Sequence, residues 1–208
     1  MNVVVNSYGG CGSKFLTKQI VKQYQQLLTS SIHQHIRNPS DVKDIDNLKM
    51  IFVIGDPIDA VLSFFWRQEQ NTSQHGFNNK ALKGSLDWPA RHCKNISGDY
   101  SSLNPTWTLS KYLENNVDLF LLREFLENWL NHELKEKVLF IKYENIWEHK
   151  KDIADFLCLG HEFVTEFSEK VARTSKGLVL SKEEKSRLEN VYGDFANFVN
   201  SLDNCFYK

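Results

Sequence analysis

Val3-Val4-Val5-Asn6-Ser7-Tyr8-Gly9-Gly10-Cys11-Gly12-Ser13-Lys14-Phe15 is the stretch on which the fold turns. Its consecutive valines predict a buried strand, because β-branched side chains suit a pleated, covered surface. Glycines at 9, 10 and 12 break that strand, and a helical pattern opens at Ser13. A strand, a glycine loop and a helix in that order aim backbone N–H groups and a helix N-terminus at an anion. A tight strand-to-helix turn without a ligand has the same pattern, and the glycines alone do not separate the two readings.

Working outward, Phe15, Leu16, Ile20, Val21, Tyr24, Leu27 and Leu28 recur at helical spacing, which predicts a helix from Ser13 to about Leu28. Ser30 to Ile36 alternates polar and apolar and reads as a short strand, while Met50 to Ile54 is a continuous apolar run of the buried parallel type. Asp56-Pro57-Ile58-Asp59 starts a helix, with Asp56 capping, Pro57 at the first position and Asp59 in the first turn. From about Gln68 to Pro105 the pattern dissolves, and a lid around a substrate is expected there, with Trp88, His92 and Tyr100 as candidate contacts for a sugar or an aromatic ring. A helical stripe returns in Asp118 to Leu134. Lys137 to Tyr143 reads as a strand, Glu144 to Leu159 as a helix, and His161 to Ala172 as a short helix. Ser181-x-x-Glu184 has capping-box spacing at the head of a last helix.

Strands alternating with helices predict an α/β fold, a parallel β-sheet flanked by helices with further helices at the C-terminal end. Ligands of such sheets bind at the carboxyl ends of the strands. Residues 7–13, 33–37, 55–56 and 143–144 are therefore expected to converge on one edge.

Composition narrows the class. The 208 residues, 41% hydrophobic and 25% charged, fit a single soluble globular domain over residues 1–208. A net charge of −1 gives no whole-molecule field for nucleic acid, so an anion site must be local. Cysteines at 11, 93, 158 and 205 show no metal-ligand spacing, and no metal is expected. Cys158 sits in an apolar helical pattern and is expected in the core. Cys11, beside a helix terminus, is open either to a reactive role or to a small loop residue's packing role. No signal-peptide pattern is present, and no run approaches the ~18–20 apolar residues of a membrane span. The cytoplasm is the expected compartment.

Three segments resemble sulfotransferases that use 3′-phosphoadenosine-5′-phosphosulfate (PAPS). Ser7 to Leu16 resembles the family's 5′-phosphosulfate loop, commonly S-Y-P-K-S-G-T-T-W-L; Ile51 to Phe65 resembles its 3′-phosphate segment, often I-Y-V-x-R-N-P-x-D-V-x-V-S-Y-Y; Val138 to Asn145 resembles the later strand ending F-Y-E-D. The resemblance implies a P-loop-type α/β architecture and transfer of a sulfuryl group to a hydroxyl or amine of a small-molecule or carbohydrate acceptor, without a metal, leaving 3′-phosphoadenosine-5′-phosphate (PAP). It assigns Gly10, Cys11, Gly12, Ser13 and Lys14 to the phosphate loop, Phe15 and Tyr143 to the adenine, Ser63 to the 3′-phosphate, and Thr174 and Ser175 to the adenine side. His35 falls at the family's base, with His33 as the second choice. Strand alternation predicts that the two histidines face opposite sides, so that at most one faces the pocket.

The chain departs from that pattern at cationic positions. The family's loop lysine falls at Gly10, its 3′-phosphate arginine falls at Gly55, and its late R-K-G loop has no counterpart. Lys14, in the first helical turn, can reach back over the loop, and Arg67 shares a helix face with Ser63. Both are expected replacements, against a plain role as solvated charges. Glu144, at a strand end, is expected to order the loop. Two other readings compete: a P-loop kinase-like enzyme with Asp56 as a Walker-B mimic, and a non-catalytic binding module that kept the fold.

Overall fold

The computed structural model describes residues 2–24, 33–42, 48–75, 87–133, 138–170 and 178–207. They fall into two compact units, one of residues 1–55, 124–172 and 202–208 and one of residues 56–123 and 173–201.

The first unit holds a five-stranded sheet. Its strands are β1 (Asn2–Asn6), β2 (His33–Gln34), β3 (Leu48–Ile54), β4 (Val138–Lys142) and β5 (Cys205–Tyr207), in the order β2-β1-β3-β4-β5. The first four are parallel neighbours, as the alternation of strands with helices predicts. The sheet is nonetheless mixed: β5 pairs antiparallel with β4, Ile141 opposite Cys205. Three residues are too few to show a period, and this strand is absent from the sequence reading.

Helix α1 (Ser13–Tyr24) follows β1, and the predicted continuation to Leu28 lies outside the described residues. The predicted helix over 144–159 divides into a 3-10 turn (Tyr143–Asn145) and α6 (Lys150–Leu157), with α7 (His161–Thr165) beyond. Cys158 is exposed, contrary to the expectation that it lies in the core. It takes φ 57°, and its N–H returns to the carbonyls of Ala154 and Asp155 to close α6. A helix-ending residue turns its side chain off the apolar stripe. Phe52 anchors the core, with its ring 6.0 Å from Phe125 and from Trp129 and 5.6 Å from Phe140.

The second unit is helical: α2 (Pro57–His75), α3 (Trp88–Ser97), α4 (Leu109–Leu113) and α8 (Lys182–Ser201), with α5 (Leu122–Leu130) beginning in it and continuing into the first. Asp56 caps α2 by accepting the Asp59 N–H at 2.9 Å, so its carboxylate serves a helix terminus rather than a Walker-B role. The capping box at α8 forms both bonds, Glu184 N–H to Ser181 Oγ at 3.1 Å and Ser181 N–H to the Glu184 carboxylate at 2.9 Å. Residues 68–105 are only in part the irregular stretch the sequence predicts. Helix α2 runs through 68–75 and α3 through 88–97, residues 98–105 are irregular as predicted, and residues 76–86 lie outside those described. Polar residues hid α3, whose buried face mixes His92 and Ser97 with Pro89, Cys93 and Ile96.

Asp118 is a half-buried carboxylate of this unit. It accepts the N–H groups of Phe120 and Leu122 at the head of α5 and the hydroxyl of Tyr192 at 2.8 Å, and Tyr192 is hydrogen-bonded to Tyr112. Burial holds the Asp118 proton above the ordinary 3.8, despite the hydrogen bonds that favour the anion. The folded state therefore binds this proton more tightly than the unfolded chain. Its contribution to stability is complete below pH ~3.8 and is lost as pH rises through the raised value. The expected result is a melting temperature that depends less on pH above ~4 in Asp118→Asn, which cannot ionise, than in the wild type. Parallel pH profiles in thermal melts would contradict it.

Among the described residues no helix is long and apolar enough to cross a membrane.

Candidate active site

The ends of the parallel strands converge in the first unit through specific bonds. After β1 the chain turns through Gly9, Gly10 and Gly12 at φ 88°, 67° and 72°, values that side chains resist and glycine permits. Ser7, buried, organises the turn. Its hydroxyl accepts the Gly9 N–H at 3.2 Å and donates to Ser13 Oγ at 2.8 Å, across the mouth of the loop. Helix α1 begins at Ser13, and the Phe15 N–H bonds to the Gly12 carbonyl at 2.8 Å. The N–H groups of Ser13 and Lys14 have no intrahelical acceptor by helix geometry, and they carry the positive end of the α1 dipole. Lys14 itself is exposed on the first turn.

The β3 end closes on this loop. Tyr8 is fully buried, and its hydroxyl takes the N–H of Gly55 at 3.1 Å while donating to the Gly55 carbonyl. Cys11 also turns inward. Its thiol donates to the Gly9 carbonyl at 2.8 Å, and a Cβ placed on Gly55 would lie 2.5 Å from Cys11 Cβ. The reactive role left open for Cys11 is thus not the one its geometry suits: its side chain packs, and only its backbone faces loop chemistry. The same contact explains the missing arginine. Any side chain at 55 collides with Cys11, so the two residues fit only as a pair.

The β4 end contributes Tyr143, whose ring lies against Gly12; a Cβ there would sit 2.0 Å from Tyr143 Cε2. Phe15 joins the same aromatic group, 5.1 Å from the Trp147 ring and 5.7 Å from Phe167. Trp147 is the residue here that sequence reasoning missed. It lies in the turn just after the 3-10 segment Tyr143–Asn145, where no periodicity marks it. Glu144 is half exposed and paired with Lys170 at 3.1 Å.

The β2 end brings both histidines to the loop. Strand alternation predicts opposite faces, but β2 ends at Gln34 and the chain leaves the strand at His35. Asn6 holds the next residue, exchanging bonds of 2.8 and 3.0 Å with the Ile36 backbone, and Trp129 Nε1–H donates to the same Ile36 carbonyl at 2.8 Å. Fixed between these clamps, the His33 and His35 rings meet edge to face with centroids 4.8 Å apart. His33 Nε2 lies 3.0 Å from Ser13 Oγ. His35 Nδ1 lies 2.6 Å from the Ser7 carbonyl, which only accepts, so Nδ1 carries the hydrogen. Neutral His35 then presents Nε2 as its basic nitrogen.

In the second unit Ser63 and Arg67 lie a turn apart on α2. The Arg67 guanidinium stands 5.2 Å over the Trp88 ring. Trp88 stacks on His92, which is buried against Phe64. Trp88 and His92 are therefore packing residues rather than the acceptor contacts the sequence suggests. A cavity of about 350 Å³ beside them is lined instead by Asp87, Arg91, Lys94, Asp99 and Ser101. Thr174 and Ser175 lie outside the described residues.

Comparison with known proteins gives one result at the level of sequence families: a model of the sulfotransferase domain matches residues 15–190. No curated protein is matched by the chain. Among solved structures, the chain resembles the mouse sulfotransferase SULT7A1, crystallised with PAP, at 13% identity and a TM-score of 0.51, covering 96% of this chain and 88% of that one. At that identity the likeness concerns the fold, and it agrees with a sheet flanked by helices. The family match spans the loop's helix, all three later parallel strands and the helices between them, and it places this chain in the sulfotransferase family, whose enzymes transfer sulfuryl groups.

Proposed function

We propose that the chain transfers a sulfuryl group from PAPS to a hydroxyl or amine of a small-molecule or carbohydrate acceptor, in the cytoplasm. The observation that carries this reading is the His35 hydrogen bond to the Ser7 carbonyl, which sets a basic imidazole nitrogen beside a loop built for an anion. The co-crystallised PAP of the mouse enzyme supports the choice of donor.

The residues fit a phosphosulfate end. Backbone N–H groups from Gly10 to Lys14, the α1 terminus and the Lys14 ammonium supply fixed positive charge without reorganisation. Phe15 and Tyr143, with Trp147 behind them, offer an aromatic surface for adenine. Ser63 and Arg67 are assigned to the 3′-phosphate on sequence grounds, as are Thr174 and Ser175 to the adenine side. The donor supplies a sulfuryl group already attached to a good leaving group. His35 Nε2 takes the acceptor's proton as the acceptor oxygen or nitrogen bonds to sulfur. The sulfur–oxygen bond to the phosphate breaks, and the loop amides hold the charge left on that phosphate. His33, through Ser13 and Ser7, keeps the loop in shape for this step.

Calorimetric titration with PAP tests the reading. The wild type is expected to bind PAP without magnesium, and Arg67→Ala to bind about tenfold more weakly, the scale of one lost charge-assisted hydrogen bond. Unchanged affinity in the variant would remove Arg67 from the site, and absence of binding by the wild type would remove PAPS as the donor.

A further inference from the structure

The first unit carries a second chemical cluster, at α6 and β5, that the transfer reaction does not use. His149 stands at the head of α6, Asp152 lies in its first turn, and Cys205 is the first residue of β5. Their donor atoms, an imidazole nitrogen, a carboxylate oxygen and a thiol sulfur, all lie within 4.8 Å of one another. His149 Nδ1 and Asp152 Oδ2 are 2.8 Å apart. The neighbouring Lys151 is bonded to Asp155 at 2.6 Å, so it leaves Asp152 to this cluster.

We propose that His149, Asp152 and Cys205 bind one divalent cation of the zinc class, with solvent in the fourth position. Tetrahedral zinc with bonds of ~2.0–2.3 Å separates its donors by roughly 3.3–3.8 Å, so the observed spacing needs only small side-chain shifts. The ligand types suit zinc or cobalt rather than magnesium or calcium, which prefer oxygen throughout. Charge also balances: a thiolate and a carboxylate offset the two charges of the cation, and the imidazole stays neutral. The thiol gives up its proton to solvent on binding.

The scaffold is set before the cation arrives. His149 and Asp152 are three residues apart across one helical turn. Cys205 is held in register opposite Ile141, and the next residue, Phe206, stacks on Phe140 with centroids 5.1 Å apart. A cation there ties the edge strand β5 to α6, which gives the short closing strand a fixed anchor. Cysteine spacing could not reveal the site, because its ligands come from the two ends of a long loop and helix excursion.

The test uses the full chain, reduced with a non-thiol reductant, stripped with chelator and titrated with cobalt and zinc chloride. One equivalent of cobalt should give a thiolate-to-cobalt charge-transfer band in the near ultraviolet, which zinc abolishes by displacement. Cys205→Ser should lose the band, and His149→Gln should weaken zinc binding at least tenfold. Zinc at about a hundredfold above its Kd should raise the wild-type Tm by roughly 5 °C. No band in the wild type, a band that persists in Cys205→Ser, or equal zinc affinity in His149→Gln would each overturn the proposal. Should Cys205→Ser fail to fold, the His149→Gln comparison decides alone.

Discussion

Replacing His35 by alanine is expected to lower kcat by about 10²–10⁴-fold, the usual worth of a general base, while PAP affinity stays nearly intact. The His35 tautomer decides the outcome. Because Nδ1 must donate to the Ser7 carbonyl, Nε2 is the nitrogen able to accept a proton. His35→Asn sharpens the test. An asparagine amide can still donate to that carbonyl, so it preserves the anchor but has no base. Both variants should therefore lose rate alike. His33→Ala should behave differently: it removes a partner of Ser13 and loosens the phosphate loop, so PAP affinity should fall along with rate. A His35 variant with full rate would place the base elsewhere.

The second large effect is expected at Gly55. A single methyl there meets Cys11 Cβ at 2.5 Å and Cys11 Cα at 3.0 Å in a fully buried setting. Gly55→Ala should cost about 3 kcal/mol, a fall in Tm on the order of 10 °C for a chain of this size. Cys11→Gly made in the same chain should recover most of that loss, because it removes the colliding atom; the coupling in a double-mutant cycle is the measured quantity. The family's arginine cannot simply be restored for the same reason. Gly55→Arg alone should destabilise the protein without improving PAP binding. If Gly55→Ala melts like the wild type, the Cys11 contact does not constrain this position.

The glycine loop, the first parallel strands and the α2 cap were legible in the sequence because each depends on neighbours in the chain. Valines make a strand, glycines admit positive φ, and Asp56-Pro57 starts a helix wherever it occurs. Convergence of the strand ends was legible too, since parallel topology dictates it. What the sequence concealed is non-local or depends on an element's exact end. The histidines were expected on opposite faces, an argument that holds only while a strand continues, and β2 stops one residue before His35. The missing arginine read as a lost charge. In three dimensions it is a steric relation between Cys11 and Gly55, 44 positions apart by residue number (55 − 11). Cys158 belonged to an apolar periodicity yet ends its helix at φ 57°, where the stripe no longer applies. Arg67 shares a helix face with Ser63 as spacing requires, but the Trp88 ring beneath its guanidinium comes from a stretch that read as loop.

The amides from Gly10 to Lys14 are proposed to hold the phosphate end of the donor, and a crystal structure of the chain with PAP at saturating concentration decides whether they do. The 5′-phosphate is expected on those amides, with His35 Nε2 facing the space where the sulfuryl group would have been. Nucleotide bound elsewhere, or a loop left vacant under those conditions, would contradict it.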